Sequence, residues 1–369
     1  MANLRDVAKR SGVSVATVSH VLNNRNQNMS AKTRQRVLDA IRELGYRPGT
    51  VPVTGAARRA QAIGVFVWLS VWETEPLRGN VYAVNVLDGI IARTLPYHWN
   101  VTLINVTAWE DARGQIRQFA DGRCDGFILI APPQGMEITD ALAERGYPFV
   151  LINAGSGDNR VSSVDVNNVA AGREVTKHMI DRGHHRVAFL LGEETYDNTC
   201  ERLEGYRQAF RDSGLAVPED LILHHGSYEI GSCAARLERM LERAAEMPES
   251  ERPTAVVCGN DAMAVESRRF LVSRGLRVPE DISLAGFDDS AFATQMDPPL
   301  TTVYQPLQQL GIRSADILLK QIEALDRGTP GGVAKEFLPH RLIVRESVVV
   351  RPSTSPAAGV RKSASADSR

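Results

Sequence analysis

Residues 4–24 constrain the fold more than any other stretch, because they form the pattern of two short helices joined by a tight turn. In the segment LRDVAKRSGVSVATVSHVLNN, apolar residues recur at helical spacing on both sides of Gly12. A glycine at that place tolerates the positive φ that ends a helix. Ser14 is then a good N-cap for a second helix, which is predicted over residues 15–22.

The second predicted helix has one apolar face and one slim polar face. Val18, Val21 and Leu22 share the apolar face, and the other positions carry small or hydrogen-bonding side chains. A helix whose N-terminal face is slim, exposed and polar suits entry into the major groove of DNA. The alternative is that both helices are ordinary core helices of a bundle.

A third helix is predicted to complete the core of this N-terminal head. Ser30 is placed to be its N-cap, and Gly45 supplies the stop. The apolar stripe that this helix would pack against the first two consists of Val37, Leu38, Ile41 and Leu44.

Charge divides the chain into a basic head and an acidic remainder. Residues 1–60 contain eleven Lys or Arg and three Asp or Glu, an excess of eight positive charges. The whole chain of 369 residues has a net charge of −1, so the rest carries −9. A basic module that coincides with a helix-turn-helix pattern favours contact with the phosphates of nucleic acid. The length favours two or three domains.

From residue 63 the pattern changes to buried strands that alternate with helices. Such alternation predicts βαβ units, parallel sheets and right-handed crossovers. The pattern restarts near Val164, which predicts two α/β halves in tandem with a cleft between them. The predicted strands are 63–68, 101–106, 127–131, 149–153, 186–191, 221–224, 255–258 and 283–287. The predicted helices are 80–94, 169–182, one that begins near 199, one that ends near 245 and one that ends near 274.

Several long motifs resemble the LacI/GalR family of bacterial repressors. In the head they are DVAKRSGVSVATVSHVLN and TRQRVLDAIRELGYRP; beyond it they are RGHHRVAFLLG, ERLEGYRQAF, CGNDAMAVESRRFLVSRGLRVPEDISLAGFDDS and PPLTTVYQPLQQLGIRSADILLKQI. The resemblance covers about residues 3–350. It implies a small all-α helix-turn-helix head on an α/β body, which has the two-lobed, periplasmic-binding-protein-like fold of type I with parallel sheets.

The resemblance also implies how the chain is divided and how it passes between the lobes. In such folds the chain crosses three times, so the helix 307–325 should return to the N-terminal lobe and a last strand, 338–344, to the C-terminal lobe. The tail is rich in Pro, Ser and Ala, which predicts disorder. The predicted domains are a DNA-binding head over 1–48, a hinge linker over 49–61, an effector-binding and dimerisation domain over 62–351, and the tail over 352–369.

The linker departs from the family pattern. The family places a short hinge helix here, and an apolar side chain of that helix wedges into the minor groove of DNA. Pro52 would sit inside the helix and remove a donor, and Gly55 stands where the family usually has the wedging leucine. We therefore expect weaker hinge ordering. The leucine heptads that make some relatives tetrameric have no counterpart in this sequence, which favours a homodimer.

The exposed face of the second helix and the resemblance together predict the DNA contacts. Val15, Ala16 and His20 are expected to read base edges of a palindromic, double-stranded operator. Similar positions in the family hold phosphates, which implies a positioning role for four further residues. These are Ser14, Thr17, Ser19 and Asn23.

Three polar residues follow strands of the second half, where ligands of open α/β sheets bind. Arg202, Asn260 and Asp288 each come shortly after a predicted strand. Arginine offers a planar fork of donors and aspartate accepts two hydroxyls, so they suit a small ligand rich in hydroxyl, carbonyl or phosphate groups. The alternative is a structural salt bridge or caps on helices. The resemblance favours the pocket, because these motif positions line the ligand site in the family.

Two residues of the first half are candidates by resemblance alone. Tyr82 occupies a position where some family members stack an aromatic ring on the ligand, although a core role is nearly as well supported. Asn153 ends the fourth predicted strand, where the family often has aspartate. We expect Asn153 to face the cleft with neutral chemistry.

The sequence gives little support to other classes of function. The four cysteines are far apart, lack zinc spacing and are predicted to be buried, reduced thiols. No signal segment and no run of about 18 apolar residues is present, so we expect a cytoplasmic protein without a membrane partner. Neither a cofactor nor a metal is expected. No G-x-S-x-G, P-loop or H-E-x-x-H pattern occurs, so an enzyme is not predicted.

These observations predict a sequence-specific transcription regulator, most consistent with a repressor. Its operator affinity would be controlled by a small effector between the lobes, a sugar or sugar derivative in the first interpretation. A nucleoside or nucleobase effector is the alternative. A sugar-binding transport protein with the same body is a competing class, which the head and the lack of a signal segment disfavour.

Overall fold

The structure is a computed structural model that describes residues 3–22, 29–44, 46, 59–67, 80–106, 122–135, 137–154, 160–224, 232–329 and 331–352. Four predictions lie outside these residues. They are the DNA contact of Asn23, the helix stop at Gly45, the hinge ordering with Pro52 and Gly55, and the disorder of the tail over 353–369.

The N-terminal head is a three-helix unit, as predicted. Its helices are α1 (Leu4–Ser11), α2 (Val15–Leu22) and α3 (Ala31–Leu44). Asn3 caps α1 through a capping box in which its own side chain and that of Asp6 bond to each other's backbone. Gly12 closes α1 in the left-handed region, with a φ of 66°. The turn between α1 and α2 therefore has the chemistry that the sequence predicted.

The core of the head is small and aliphatic. Val7, Val18 and Val37 are fully buried between the three helices. Burying each such side chain contributes about 1.5–3 kcal/mol. The head also contacts the body, because the Arg34 guanidinium donates two hydrogen bonds to the Glu144 carboxylate, at 2.8 and 3.0 Å.

The N-terminal lobe is built on a parallel sheet. Its elements are β1 (Ala62–Val67), α4 (Val81–Thr94), β2 (Asn100–Asn105), β3 (Gly126–Ile130), α5 (Glu137–Glu144), β4 (Phe149–Ile152) and β5 (Ser162–Val166). The strands follow the order β5-β4-β3-β1-β2. β1, β3 and β5 are buried along their whole length, as strands are when helices cover both faces of a parallel sheet.

The C-terminal lobe repeats this plan. Its elements are α6 (Asn168–Asp181), β6 (Val187–Leu190), α7 (Asp197–Asp212), β7 (Ile222–Leu223), α8 (Ser232–Ala245), β8 (Ala255–Cys258), α9 (Asp261–Ser273), β9 (Ser283–Asp288), α10 (Ala291–Gln295) and β10 (Thr301–Tyr304). The strands follow the order β10-β9-β8-β6-β7 and are parallel. The predicted tandem of two α/β halves is confirmed.

The chain passes between the lobes three times. It crosses between β5 and α6, between β10 and a long helix α11 (Leu307–Asp326), and between two final strands, β11 (Lys335–Leu338) and β12 (Arg341–Ile343). α11 packs in the core of the N-terminal lobe, which confirms the predicted return of this helix.

The predicted return of the last strand, near 338–344, to the C-terminal lobe is confirmed by β12, whereas the strand before it, β11, was not predicted. β11 pairs in parallel with β5 in the N-terminal sheet, and β12 pairs antiparallel with β10 in the C-terminal sheet. Pro339 stands between them and has no N–H to donate to a ladder, so the strand breaks where it changes lobes.

The prediction that all four cysteines are buried was wrong for one of them. Cys124, Cys233 and Cys258 are buried and free, whereas Cys200 is half-buried. The Cys200 thiol donates to the Glu194 carbonyl oxygen at 3.2 Å, in the first turn of α7 close to the surface.

Helix pairs pack through glycines in both lobes. A Cβ at Gly311 of α11 would lie 2.1 Å from the Val86 carbonyl oxygen of α4. A Cβ at Gly205 of α7 would lie 2.1 Å from the Val169 carbonyl oxygen of α6. Both distances are far below a van der Waals contact, so only glycine allows the backbones to approach this closely. Each pair is therefore a tightly joined unit.

We expect Gly311→Ala to destabilise the N-terminal lobe. The gain in helix propensity is about 1 kcal/mol, but the new methyl group overlaps a backbone oxygen that cannot rotate away. Overpacking of this kind costs about 1–3 kcal/mol or more, so the variant should melt several degrees below the parent in circular dichroism. Gly332→Ala is the control, since a Cβ there meets nothing within 4 Å, and it should melt at the parent temperature or slightly above. Equal melting of the two variants would contradict the packing argument.

Candidate functional site

The predicted reading residues lie on the exposed face of α2. Val15 is 43% exposed, and Ala16 and His20 are exposed beside it. Val18 and Val21, on the opposite face, are buried in the head. Three small or planar side chains are therefore available to a groove without any change in the core.

The predicted phosphate-contacting residues have a structural role at the start of α2. The Ser14 hydroxyl accepts a hydrogen bond from the Thr17 backbone N–H at 3.0 Å and lies 2.8 Å from the Thr17 hydroxyl. Ser14 is thus the N-cap that the sequence predicted. The positive end of the helix dipole points to the same side, which favours a phosphate there. Ser19 is half-buried one turn further on.

Arg202 lies at the centre of the second site, on α7. The glycine contact between α6 and α7 brings its guanidinium against the start of α6, where Nε donates to the Asn168 side-chain oxygen at 3.0 Å. Nη1 donates to the Gly259 carbonyl oxygen, just after β8, at 2.7 Å. The guanidinium carbon stands 4.4 Å from the centre of the Phe287 ring. Arg202 and Asp288 form no direct ion pair, so the predicted alternative of a structural salt bridge between them is not observed.

Asp288 ends β9 with a φ of 109°, a conformation that side chains rarely adopt. Its carboxylate accepts a hydrogen bond from the Gln305 amide at 2.7 Å. Burial raises the pKa of the Asp288 carboxyl, against the lowering effect of Arg202 and of the Gln305 hydrogen bond. An acceptor is thus held at the end of β9 in a rarely adopted backbone conformation, and its role as a ligand-binding aspartate stays a prediction.

A second carboxyl, which the sequence did not single out, lies beside it. Asp261 is fully buried at the start of α9 and accepts hydrogen bonds from the Ser290 N–H and hydroxyl at 2.7 and 2.9 Å. The Thr302 hydroxyl donates to it at 2.5 Å. Burial, and next the charge of Asp288, raise the pKa of Asp261. Because Asp261 accepts these three hydrogen bonds, it connects the start of α9 to the residues after β9 and to β10.

The N-terminal lobe contributes Tyr82, in the first turn of α4. Its hydroxyl is buried and has no hydrogen-bond partner among the described residues. Burial first, and then the charges of Asp165 and Asp288, raise the pKa of the Tyr82 phenol well above its ordinary value. Because Asp165 belongs to one lobe and Asp288 to the other, Tyr82 lies between them. Its ring also packs against the core of the N-terminal lobe, so both predicted roles are compatible.

Asn153 and Asn168 link the N-terminal and C-terminal lobes at the candidate site. Asn153, after β4, has a φ of 55° and is 3% exposed. The Asn168 amide donates to the Asp165 carboxylate at 3.2 Å and to the Asn153 side-chain oxygen at 3.5 Å. Asn168 sits at the first lobe crossing and also accepts from Arg202. It therefore connects a candidate residue of each lobe.

Gln305 occupies the second lobe crossing, just before α11. Its side chain is 2% exposed, and its amide nitrogen is the donor to Asp288. The oxygen of the same amide is buried without a partner in the part of the chain that the structure describes. Asp165 lies within β5, Asn168 follows β5 and Gln305 follows β10, and sequence reasoning missed all three because neither strand was predicted.

Asn260 has a structural role, and its effector-binding role stays a prediction. Its side-chain oxygen accepts a hydrogen bond from the Met263 N–H at 2.8 Å and so caps α9. The capping alternative is therefore present, and it uses one of the two lone pairs of the Asn260 side-chain oxygen.

Four carboxyl groups are found in the described part of this site. The Arg202 guanidinium acts on those of Asp165, Glu201 and Asp288, and Asp261 lies next to Asp288. Burial is the largest cause of the raised pKa of each, and it brings that of Asp165 to about 7. The part of the chain that the structure describes contains no cluster of His, Cys, Asp or Glu placed to hold a metal ion, and no helix there is long and apolar enough to span a membrane.

Two family models match the chain. The model for bacterial regulatory proteins of the lacI family matches residues 3–49, which include the whole head. The model for a periplasmic binding protein-like domain matches residues 176–348, which include α7, β8 and β9. The two matches therefore contain the exposed face of α2 and most of the interlobe site.

Named relatives and solved structures match most of the chain. The HTH-type transcriptional repressor PurR of Vibrio cholerae serotype O1 (strain M66-2) is 32% identical over 325 residues, 88% of this chain and 92% of the relative. The PurR repressor of Vibrio atlanticus (strain LGP32) is 31% identical over 95% of this chain and 99% of its own. A complex of the transcriptional regulator CelR with cellobiose has a TM-score of 0.70 at 29% identity and covers 94% of this chain and all of its own. The lac repressor dimer bound to operator and the anti-inducer ONPF has a TM-score of 0.66 at 26% identity, over 94% of this chain and 99% of its own.

We expect Asp165→Asn to change how stability depends on pH. Burial raises the pKa of Asp165 from 3.8 to about 7, so the folded chain binds more protons than the unfolded chain between these values. The contribution of this group to stability is then complete below about pH 4 and is lost as pH rises through 7, by at most about 1.4 kcal/mol per pH unit. The melting temperature of the variant minus that of the parent should therefore rise from pH 4 to 7 and level off near 8.

Asp281→Asn provides the control for this measurement. The Arg277 hydrogen bond lowers the pKa of Asp281 to about 2, so the stability that Asp281 contributes is lost only as pH falls through the range below 4. The melting temperature of Asp281→Asn minus that of the parent should be constant between pH 5 and 8. A constant difference for Asp165→Asn as well would mean that Asp165 is ionised at no cost in the folded protein.

Proposed function

The chain belongs to the lacI family of bacterial regulatory proteins, and from this premise we propose that it represses transcription as a homodimer whose operator affinity is set by a small uncharged effector. As a member of the family it is a DNA-binding transcriptional repressor. The proposal adds the residues that read DNA, the chemical class of the effector and the place where it binds.

The proposed reading residues are Val15, Ala16 and His20. Their support is that they are exposed on α2 while the other face of this helix is buried in the head. Valine and alanine offer only apolar contact, such as contact with a thymine methyl group, whereas histidine can hydrogen-bond to a base edge. Ser14, Thr17, Ser19 and Asn23 are proposed to hold phosphates. The similar lac repressor is a dimer on its operator, which supports two heads on a palindrome.

The proposed effector site lies between the lobes, among Arg202, Asp288, Asn153, Asn260 and Tyr82. The observation that carries it is a pair of buried polar atoms that lack partners among the described residues, the Tyr82 hydroxyl and the Gln305 side-chain oxygen. Buried polar atoms are nearly always hydrogen-bonded, so orphans at the meeting of two lobes indicate a ligand group. A ligand hydroxyl or N–H can donate to Gln305, and a second polar group can pair with Tyr82.

The charge of the site favours an uncharged effector. Two donors of the Arg202 guanidinium are already bonded to Asn168 and Gly259, and the Asp288 and Glu201 carboxyl groups repel a phosphate when they are ionised, which narrows the ligand classes that the sequence left open. Sugars and nucleobases both fit, since both offer several donors without a charge. The relatives named PurR favour a nucleobase, and the structural neighbour in complex with cellobiose favours a sugar.

Regulation would follow from a shift between lobe orientations. An effector that binds one orientation better moves the equilibrium towards it, and the two heads of the dimer then approach the operator at a changed spacing. This function places the protein in the cytoplasm, with the nucleoid when it is bound to operator. No catalytic step is part of the proposal.

Operator choice should change when the exposed face of α2 changes. In vitro selection from a random duplex library gives the preferred sequence of the parent. Val15→Tyr with Ala16→Gln should select a different sequence, because the apolar contacts are replaced by hydrogen-bonding side chains. Ser19→Ala should keep the parent sequence and bind it more weakly, as loss of a phosphate contact does. Gln35→Ala, exposed on α3, is the control and should change neither. An unchanged selected sequence for the double variant would refute the reading face.

Effector affinity should fall when Arg202 is removed. Cellobiose, ribose, hypoxanthine and guanine are titrated by calorimetry into the parent, with ribose 5-phosphate as the charged comparison. Arg202→Ala should weaken the ligand that binds by about ten- to hundredfold, because a buried acceptor of the ligand loses its donor. Arg207→Ala, on the same helix but paired with Glu219 at the surface, should bind like the parent. Binding of ribose 5-phosphate in preference to all four uncharged compounds would overturn the charge argument.

A further inference from the structure

Residues 59–61, the described end of the linker between head and body (here called the tether), are held against the body, and Arg59 makes the side-chain contacts. Its guanidinium donates to the Ile322 carbonyl oxygen at 2.6 Å and forms an ion pair with Asp326. It also stands over the Trp99 ring, 5.9 Å from its centre. Two residues later, the Gln61 carbonyl oxygen accepts from the Asn100 N–H at 2.8 Å, where the first strand begins. The last part of the tether is thus held by the body before the sheet starts.

The residues that hold Arg59 lie in the last turns of α11. This helix has 20 residues and is therefore about 30 Å long. The C-terminal end of a helix carries a partial negative charge, which favours a guanidinium there, and the last carbonyl groups of α11 also accept from the N–H groups of Arg327, Gly328 and Thr329. Arg59 accordingly satisfies a carbonyl group, an acidic side chain and an aromatic face at the same helix end.

The other end of α11 lies at the candidate effector site. Gln305 comes two residues before the first residue of the helix and donates to Asp288 at 2.7 Å. Its side-chain oxygen is one of the two unpartnered buried atoms of the described site. A group that binds Asp288 or Gln305 therefore acts on the segment from which α11 starts.

α11 is a stiff connection between these two ends. The Gly311 contact joins it to α4, and in the opposite direction a Cβ at Gly89 of α4 would lie 2.0 Å from the Gln308 carbonyl oxygen. Gln308 donates to Asp88 at 2.5 Å, and Arg93 forms an ion pair with Asp316. α4 itself begins beside Tyr82. Both helices of the pair thus start at the cleft, and they run towards the place where the tether is held.

We propose that α11 is the lever that couples the effector site to the DNA-binding head, with Gln305 as the positioning residue at its cleft end and Arg59 as the residue that holds the tether at its other end. The proposal rests on the proposed function, because it needs a head that binds operator and a cleft that responds to ligand. It assigns Gln305 a role beyond its proposed contact with the ligand, and it assigns Arg59 a role that requires contact with neither the DNA nor the ligand.

The test is a double-mutant cycle on operator affinity, which needs no identified effector. The probe is the operator duplex selected in vitro, titrated by fluorescence anisotropy into the full-length parent, Gln305→Ala, Arg59→Ala and the double variant. Mutations at sites this far apart normally add within about 0.3–0.5 kcal/mol, which is about twofold in affinity. Coupling through α11 should instead make Gln305→Ala change operator affinity about fivefold or more in the parent and less than about twofold in the Arg59→Ala background.

Arg327→Ala is the matched control. Arg327 lies at the same helix end and, within the described part of the chain, pairs with Glu323, so its removal should leave operator affinity unchanged and the effect of Gln305→Ala intact. Arg59→Lys keeps the charge beside Asp326 and should restore part of the coupling. Circular dichroism confirms that each variant is folded. A merely structural role of Arg59 would lower affinity without altering the effect of Gln305→Ala.

Two results would overturn the proposal while leaving the proposed function in place. One is a cycle that adds within twofold, and the other is a Gln305→Ala variant that binds operator as the parent does. Failure to select any duplex with the parent would instead remove the proposed function, and the lever with it. The two failures are therefore distinguishable.

Discussion

The buried guanidinium of Arg202 is the interaction on which the arrangement of the cleft depends. An ionised side chain that loses its water needs replacement partners, because a charge buried without them costs several kcal/mol. Here the partners are the Asn168 side-chain oxygen, the Gly259 carbonyl oxygen and the face of the Phe287 ring. They come from the start of α6, the end of β8 and the end of β9, so that one side chain fixes how these ends meet.

The choice of neutral partners leaves the site ready for a ligand. If Arg202 and Asp288 were bonded directly, a ligand would first have to separate a buried ion pair before it could bond to either group. Instead Asp288 is bonded to Gln305 and Arg202 to Asn168, and both of these neutral amides sit at lobe crossings. Donor and acceptor are therefore held in place without satisfying each other, which lowers the cost of binding. In the proposed function, a ligand at Arg202 or Asp288 would therefore act on the segments where the chain crosses between the lobes.

The sequence predicted the elements with strong periodicity and missed those whose pattern was weakened by polar residues. The head, the long helices and the apolar strands are where they were predicted, because the spacing of their side chains indicates a buried face. The sequence of β5 is SSVDV and that of β10 is TTVY. Serine, threonine and aspartate side chains are buried in these strands, where hydrogen bonds satisfy them, and the local sequence pattern does not reveal such bonds. The rule that ligands bind after strand ends could not be applied to unpredicted strands, so Asn168 and Gln305 were missed. Arg202 and Asp288 were found because they follow apolar strands and belong to recognisable motifs.

Rigid lobes explain why a small ligand could act on a distant head. Both helix pairs beside the cleft are joined backbone to backbone, through Gly311 in one lobe and Gly205 in the other, and close-packed interiors do not deform gradually. A change at the cleft can then appear only as movement of one lobe relative to the other about the three crossings. The head is basic and the rest of the chain is acidic, so the DNA phosphates attract only the head. A movement that shifts the head therefore changes DNA binding. The position in which each body holds its head thus decides whether the two heads of a dimer can reach both half-sites at once. This control requires no change in the residues that contact bases.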